Sequence, residues 1–341
     1  MPPEESFPPL VPYGWDERVA TLYASVAPGP HQPGRVVGVE RGWCTVQCAG
    51  GPRSLAAEPP PAVGDWVALG PVRVEAVLER RSALCRQDPD GRRRQVLAAN
   101  LDVILVVAPA DRLHLARVER ELLVAWESGA VPVVVVTKTD LVEQPGELAT
   151  TVAERLAGVE VVSTSAVTGE GVGDVGARLR PHRSAALLGP SGSGKSSLAN
   201  TLVGEEVLAT GDVRTGDRRG RHTTTSRRVV LVPGGGVLVD TPGLRSLAPW
   251  GGDGGLAAAF ADIDELGSGC RFRDCRHDHE PQCAVVAAVA AGELDGARLR
   301  SYRKLERELA YAARADDPQA RRAEEQRWKG ITKAQRRARR W

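Results

Sequence analysis

The sequence predicts a multidomain protein of mixed class: a small N-terminal β-barrel, an α/β domain with parallel strands, and a helical C-terminal region holding a cysteine/histidine cluster. Three observations carry this reading. The chain has 341 residues, more than one hydrophobic core of roughly 100–200 residues organises. Short β-branched runs at tight spacing give way, from about residue 101, to strands alternating with helical periods. Three of the six cysteines then crowd between Cys270 and Cys283.

Taken in order, residues 1–32 are proline-rich and show little apolar periodicity beyond Trp15, Val19, Leu22 and Tyr23, so an extension with one short helix is expected. Residues 33–86 read as the barrel, with strands at 35–39, 43–48, 65–69 and 72–78 between Gly and Pro clusters. Trp43 and Trp66 are expected in its core, and Cys44, Cys48 and Cys85 are expected only to pack. The stretch 87–95, with Arg92, Arg93 and Arg94, reads as a linker. Residues 95–250 form the α/β domain, with strands at 102–108, 131–137, 159–162, 185–188, 229–232 and 237–239 and helices at 113–128, 148–156 and 196–203. A glycine-rich hairpin at 234–236 joins the last two strands. Residues 255–341 form the helical domain, where Tyr302, Leu305, Leu309 and Ala312 make one apolar helix face. From 298 to the end there are fifteen Lys/Arg against six Asp/Glu, a basic tail that includes Trp328 and Trp341.

Composition excludes several classes. Hydrophobic residues at 42% and charged residues at 26% rule out wholesale disorder and a coiled-coil rod. The longest apolar runs, 103–110 and 284–291, fall far short of the roughly 18–20 residues that cross a bilayer, so no membrane role is expected. The first residues lack the basic flank and apolar stretch of a secretory signal, which makes cytoplasmic residence the expectation. Net charge is only +2, so a polyanion-binding surface has to come from segregated charge such as the tail. Only five of the 45 basic residues are lysine, which makes a lysine inside a motif informative.

Gly189-Pro190-Ser191-Gly192-Ser193-Gly194-Lys195-Ser196 fits G-x-x-x-x-G-K-[ST], follows an apolar strand and opens a helix beginning Ser197-Leu198. Such a loop converges backbone N–H groups on phosphate oxygens; Lys195 reaches the β and γ phosphates and Ser196 can ligate Mg2+. Thr137-Lys138-Thr139-Asp140 follows the strongest strand and resembles the guanine-reading [NT]-K-x-D element of GTPases. The Asp140 carboxylate can accept from guanine N1–H and the exocyclic amine together, donors that adenine lacks there. Ser165-Ala166 also follows a strand and resembles the loop supporting guanine O6. Asp240-Thr241-Pro242-Gly243 closes another strand, with Asp240 placed to hold Mg2+ through water and the Gly243 N–H to meet a γ-phosphate. Between these lies 220–225, a polar loop with Thr223, Thr224 and Thr225, suited to be a switch. Leu244 stands where many GTPases place a water-orienting glutamine, and His222 is the internal candidate to replace it. Finally, Cys270-x4-Cys275-x-His277-x5-Cys283 supplies a Cys3His set for one closed, structural Zn2+, with His279 as the alternative nitrogen ligand.

These motifs run guanine element, Ser165-Ala166, phosphate loop, switch loop, Asp240 element, a rotation of the usual order. In that order they resemble the circularly permuted RsgA (YjeQ) family over roughly residues 35–311. The resemblance implies an OB-like β-barrel, a circularly permuted α/β P-loop GTPase domain and a C-terminal helical zinc-binding domain. It implies a monomeric GTPase that binds the 30S ribosomal subunit and rRNA in late small-subunit maturation and hydrolyses GTP to GDP when the subunit stimulates it. The OB analogy makes the barrel, with Trp43 and Trp66, a second RNA surface beside the tail. A different class, a GTP-gated RNA-binding module with incidental hydrolysis, fits the same motifs. Thr137 stands where the family commonly has Asn, a departure that loosens one loop-bracing hydrogen bond. Permutation leads the chain from Asp240 straight into the 255–341 region, so exchanging GTP for GDP is expected to reorient that region.

Overall fold

The computed structural model describes residues 7–26, 31–40, 42–87, 94–156, 158–207, 227–240, 247, 249 and 253–316. After a 3-10 turn at Pro8–Tyr13 comes α1 (Glu17–Val26). The first strands are β1 (Gln32–Glu40), β2 (Trp43–Cys48), β3 (Gly51–Ala56), β4 (Trp66–Leu69) and β5 (Val74–Val77). All pair antiparallel, in the order β3-β2-β1-β4-β5, and share a core of Val36, Cys44, Val46, Cys48, Leu55, Val67 and Leu69. The N-terminal segment is part of this unit: Leu10, Trp15 and Val19 are buried against Trp66 and Leu78. Trp66 packs as expected. Trp43 does not; it opens β2 on the outward side of the alternation and is 54% exposed.

The ends of the stretch read as a linker are instead strand: β6 (Ala83–Gln87) pairs antiparallel with β7 (Arg94–Ala99), so Gln87, Arg94 and Gln95 belong to strands. Leu84 and Leu97 are buried in the core, and two residues away on each strand Arg86 and Gln95 meet through an Nε–Oε1 bond of 2.9 Å.

The α/β domain follows: β8 (Val103–Pro109), α2 (Leu115–Glu127), β9 (Val131–Thr137), α3 (Pro145–Arg155), β10 (Glu160–Ser163), α4 (Val172–Ala177), β11 (Ser184–Leu188), α5 (Lys195–Val203), β12 (Arg227–Leu231) and β13 (Val237–Asp240). The order β10-β9-β8-β11-β13 is parallel throughout. Both faces are covered, which explains the unbroken apolar runs: Ile104, Val106, Val134 and Val136 enter one core and Val103, Leu105, Val107, Val133 and Val135 the other. Successive strands step outward from β8 in one direction and from β11 in the other. Such a switch point opens a crevice at the strand C-termini, where ligands of open α/β sheets bind.

β12 runs antiparallel to β13 and continues the sheet into the N-terminal unit, pairing Gly38 with Arg228 and Val39 with Arg227. One edge of β1 is therefore divided between β4 and β12. The C-terminal unit comprises α6 (Asp253–Ala259), α7 (Ala261–Gly267), α8 (Ala284–Ala291) and α9 (Gly296–Asp316). Its core of Phe260, Ile263, Val285, Leu299 and Leu305 also takes in Leu123 of α2, and Tyr302 and Leu309 pack against it as the helix face predicted. No helix among the described residues is long and apolar enough to cross a membrane.

Candidate functional site

The motif 189–196 occupies the switch point, joining β11 to α5 beside the end of β8. Gly189 has φ +148°, and a Cβ there would lie 2.4 Å from the Val107 carbonyl oxygen, so glycine is required where the loop turns under β8. Lys195 folds back over the loop, its Nζ donating to the carbonyls of Gly189 at 2.8 Å and Pro190 at 2.5 Å. Ser191, Gly192 and Ser197 are exposed, Pro190, Gly194 and Ser196 half-buried, and Ser193 buried. On the adjacent strand, the pairing of Ala186 with Val239 brings Asp240 level with Leu187, two residues before the loop. Burial pushes the Asp240 carboxyl above its ordinary range, and Arg228, its cross-strand partner, pulls it back down.

Thr137 ends β9 with its side chain turned toward the loop. Its Oγ1 donates to the Ser193 carbonyl at 2.6 Å, so the brace expected to be loosened by the departure from Asn is made. Lys138 takes φ +58°, which turns the chain so that Thr139 is buried and Asp140 exposed. The Ser165 hydroxyl donates to Asp140 Oδ1 at 2.5 Å and accepts from the Val167 and Thr168 N–H groups at 3.2 Å each. Gly171 closes this loop with φ +68°; a Cβ would fall 1.9 Å from the Ser163 carbonyl oxygen. Ala166 follows, half-buried. Four sequence elements spread over more than 100 positions thus meet at the C-terminal ends of β9, β10, β11 and β13; hydrogen bonds tie the first three together, and strand pairing places the fourth. His222, Thr223, Gly243 and Leu244 lie outside the described residues, as does the tail from 317.

Cys270, Cys275, His277 and Cys283 bring one donor atom each within 4.8 Å of one another. Cys270 Sγ is 3.8 Å from Cys283 Sγ, and His277 Nδ1 is 3.6 Å from Cys270 Sγ and 3.5 Å from Cys283 Sγ. Around a tetrahedral ion with bonds of about 2.3 Å to sulfur and about 2.05 Å to nitrogen, those separations are about 3.8 and about 3.5 Å. The set therefore fits one four-coordinate metal ion with Nδ1 as the nitrogen ligand. His279, left open by spacing, points away with its side chain 92% exposed. Two features that spacing does not reveal fix the loop. The Glu280 carboxylate accepts from the N–H groups of Asp278 at 2.8 Å, Arg276 at 3.0 Å and His279 at 3.2 Å, which hold it down to about 2. Cys283 caps α8, its sulfur accepting from Val286 N–H at 3.4 Å.

A G-x-x-x-x-G-K-[ST] loop at the switch point, braced to a lysine-aspartate element at the end of β9, one strand beyond β8, defines a P-loop nucleotide-binding protein with its elements in rotated order. A family model described as RsgA GTPase matches residues 77–250. The chain is 45% identical over 329 residues to the small ribosomal subunit biogenesis GTPase RsgA of Streptomyces coelicolor, covering 92% of this chain and 90% of that one. To the protein of the same name from Opitutus terrae it is 40% identical, covering 95% and 96%. Among solved structures, YjeQ from Thermotoga maritima superimposes with a TM-score of 0.61 at 25% identity, over 82% of this chain and 99% of that one. YloQ, described as a circularly permuted GTPase, shares the fold with a TM-score of 0.59 at 23% identity, over 82% and 95%. The chain belongs to the RsgA GTPase family, and it is a GTP hydrolase.

Proposed function

We propose that this GTPase binds the 30S ribosomal subunit, contacts rRNA, and hydrolyses GTP during late small-subunit maturation, acting as a cytoplasmic monomer. The ribosomal part rests on the relatives, whose names describe small ribosomal subunit biogenesis. The nucleotide part rests chiefly on one observation: Ser165 fixes the Asp140 carboxylate beside a strand whose Thr137 is tied to the phosphate loop. Base edge and phosphate chain are thereby read by one connected framework, as discrimination for guanine requires. In this reading Asp140 reads the guanine edge, Lys138 lies along its plane, and Ala166 and its loop support O6. The N–H groups of 189–197 hold the phosphates and Lys195 balances charge developing on them. Ser196 and Asp240 would hold Mg2+, which screens the phosphate charge when bound. Gly243 meets the γ-phosphate, and His222 orients the attacking water, a task Leu244 cannot perform.

The metal ion is Zn2+, as three thiolates and an imidazole in a closed set favour, and it serves folding rather than chemistry, since four protein ligands leave no open position. The barrel, the GTPase domain and the zinc domain are assigned to 33–86, 95–250 and 255–341. The test is GTP turnover with and without purified 30S subunits at two salt concentrations. Stimulation that weakens at the higher salt is expected, because docking on RNA releases counterions. Equal turnover with and without subunits contradicts the proposal, and subunit binding gated by GTP without turnover favours the RNA-binding module instead.

A further inference from the structure

Helix α2 has two working faces. On one, Arg117 and Glu121, paired at 3.2 Å, line a cavity of about 250 Å3 together with Arg112, His114 and the loop residues Pro190 and Ser191. Burial raises the Glu121 carboxyl from its ordinary range, while Arg117 and Lys195 of the phosphate loop pull it back toward the charged form. Two residues away, the other face carries Glu119, whose side chain is fully buried.

Glu119 Oε1 sits 3.3 Å from Arg298 of α9 and 3.3 Å from Arg155 at the end of α3. Arg298, only 2% exposed, is bidentate to Asp262 of α7 at 2.6 Å for each bond, donates to the Ala259 carbonyl at 3.1 Å and lies 4.7 Å over the Phe260 ring. Arg155 also pairs with Asp295, and Arg120 of α2 with Glu308 of α9. Leu123, one turn on, is buried in the core of the C-terminal unit. Charges this deeply buried are costly to separate, and they form a junction that holds one geometry. The C-terminal unit is therefore anchored noncovalently to the helix that walls the phosphate loop, in addition to its covalent link through 241–252.

We propose that α2 couples the two sites: occupancy of the phosphate loop and seating of the metal-bound unit bias each other through α2, with Glu119 and Arg298 as positioning residues of the joint. A third phosphate presses on the Pro190–Ser191 side of the cavity that Arg117 and Glu121 line, and the resulting set of α2 is felt where Arg298 grips it. The inference rests on reading 189–196 as the nucleotide site. By linkage, loss of the metal must change nucleotide affinity by the factor by which nucleotide changes metal affinity.

The experiment titrates a fluorescent GDP and a non-hydrolysable GTP analogue into full-length protein, metal-loaded and after chelation. In the wild type, chelation is expected to change the analogue affinity about fivefold or more, with a smaller change for GDP. In Glu119→Gln and Arg298→Met the ratio of the two affinities becomes insensitive to chelation, within twofold. Arg120→Ala, at the rim of the joint, reports the same loss in part if the buried variants fail to fold. Wild-type affinities that stay within twofold on chelation overturn the proposal, as does full coupling in a folded Arg298→Met protein; a joint that is only structural shifts both nucleotides equally and overturns it too. A wild-type protein that binds no guanine nucleotide refutes instead the reading of the site.

Discussion

Replacing Thr137 with valine tests how the site is assembled. The two side chains have nearly the same shape, so the substitution removes one hydroxyl and little else. That hydroxyl donates to the Ser193 carbonyl at 2.6 Å, with both residues buried, Thr137 at 4% and Ser193 at 0% exposure. The carbonyl loses this partner in a place water reaches poorly, at a cost of about 1–2 kcal/mol. Gly194, next in the loop, lies against Thr137 as well: a Cβ there would be 3.4 Å from the same hydroxyl. The penalty thus falls on the loop that must hold its N–H groups convergent. Expressed in binding, it weakens GDP about five- to thirtyfold by fluorescence titration, with GTP affected alike. Thr137→Asn, which retains a donor, should recover most of the loss. A Thr137→Val protein that binds GDP within twofold of wild type, at an unchanged melting temperature, shows that the brace does not organise the loop.

Two further outcomes follow from the same geometry. About one equivalent of zinc per chain is expected to copurify; His277→Ala should lose it and melt the C-terminal unit, whereas His279→Ala should keep both; metal analysis with thermal unfolding separates them, and zinc loss in the second variant alone would reverse the ligand assignment. His222→Ala is expected to abolish 30S-stimulated turnover while leaving GTP affinity within about threefold, and undiminished stimulated turnover removes His222 from the mechanism.

What could be read from the sequence follows from how local the physics is. β8 and β9 were legible because burial on both faces forces unbroken apolar runs. β3 was not, since Gly51, Pro52, Arg53 and Ser54 signal a turn and the strand exists only because β2 supplies its partners. α4, six residues with two glycines, has too little pattern to register. The β6–β7 pair was hidden by the charged stretch of sequence between its strands. Trp43 shows the limit of composition: a tryptophan suggests a core, but only register decides the face.

The motifs of the candidate site were easier to pick out than the strands, because 137–140 and 189–196 are consecutive and the Cys/His set is confined to 270–283. Their mutual bonds were not. Thr137 to Ser193 spans 56 positions and Glu119 to Arg298 spans 179, and no local pattern marks either end. The choice of His277 over His279 likewise needed the backbone, which at His277 adopts φ +56° and carries the ring into the cluster.

The most direct test of the account exchanges the Asp140 carboxylate, proposed to read the base, for an amide. Asp140→Asn leaves the Ser165 hydroxyl a partner but replaces a two-site acceptor for the guanine edge with a group that matches xanthine. Competition titrations of GTP, XTP and ATP against wild type and variant are expected to show GTP strongly preferred by the first and XTP by the second, with ATP bound poorly by both. ATP bound by the wild type as tightly as GTP, or a variant that still prefers GTP, would contradict the claim that Asp140 and the 189–196 loop close on one guanine nucleotide.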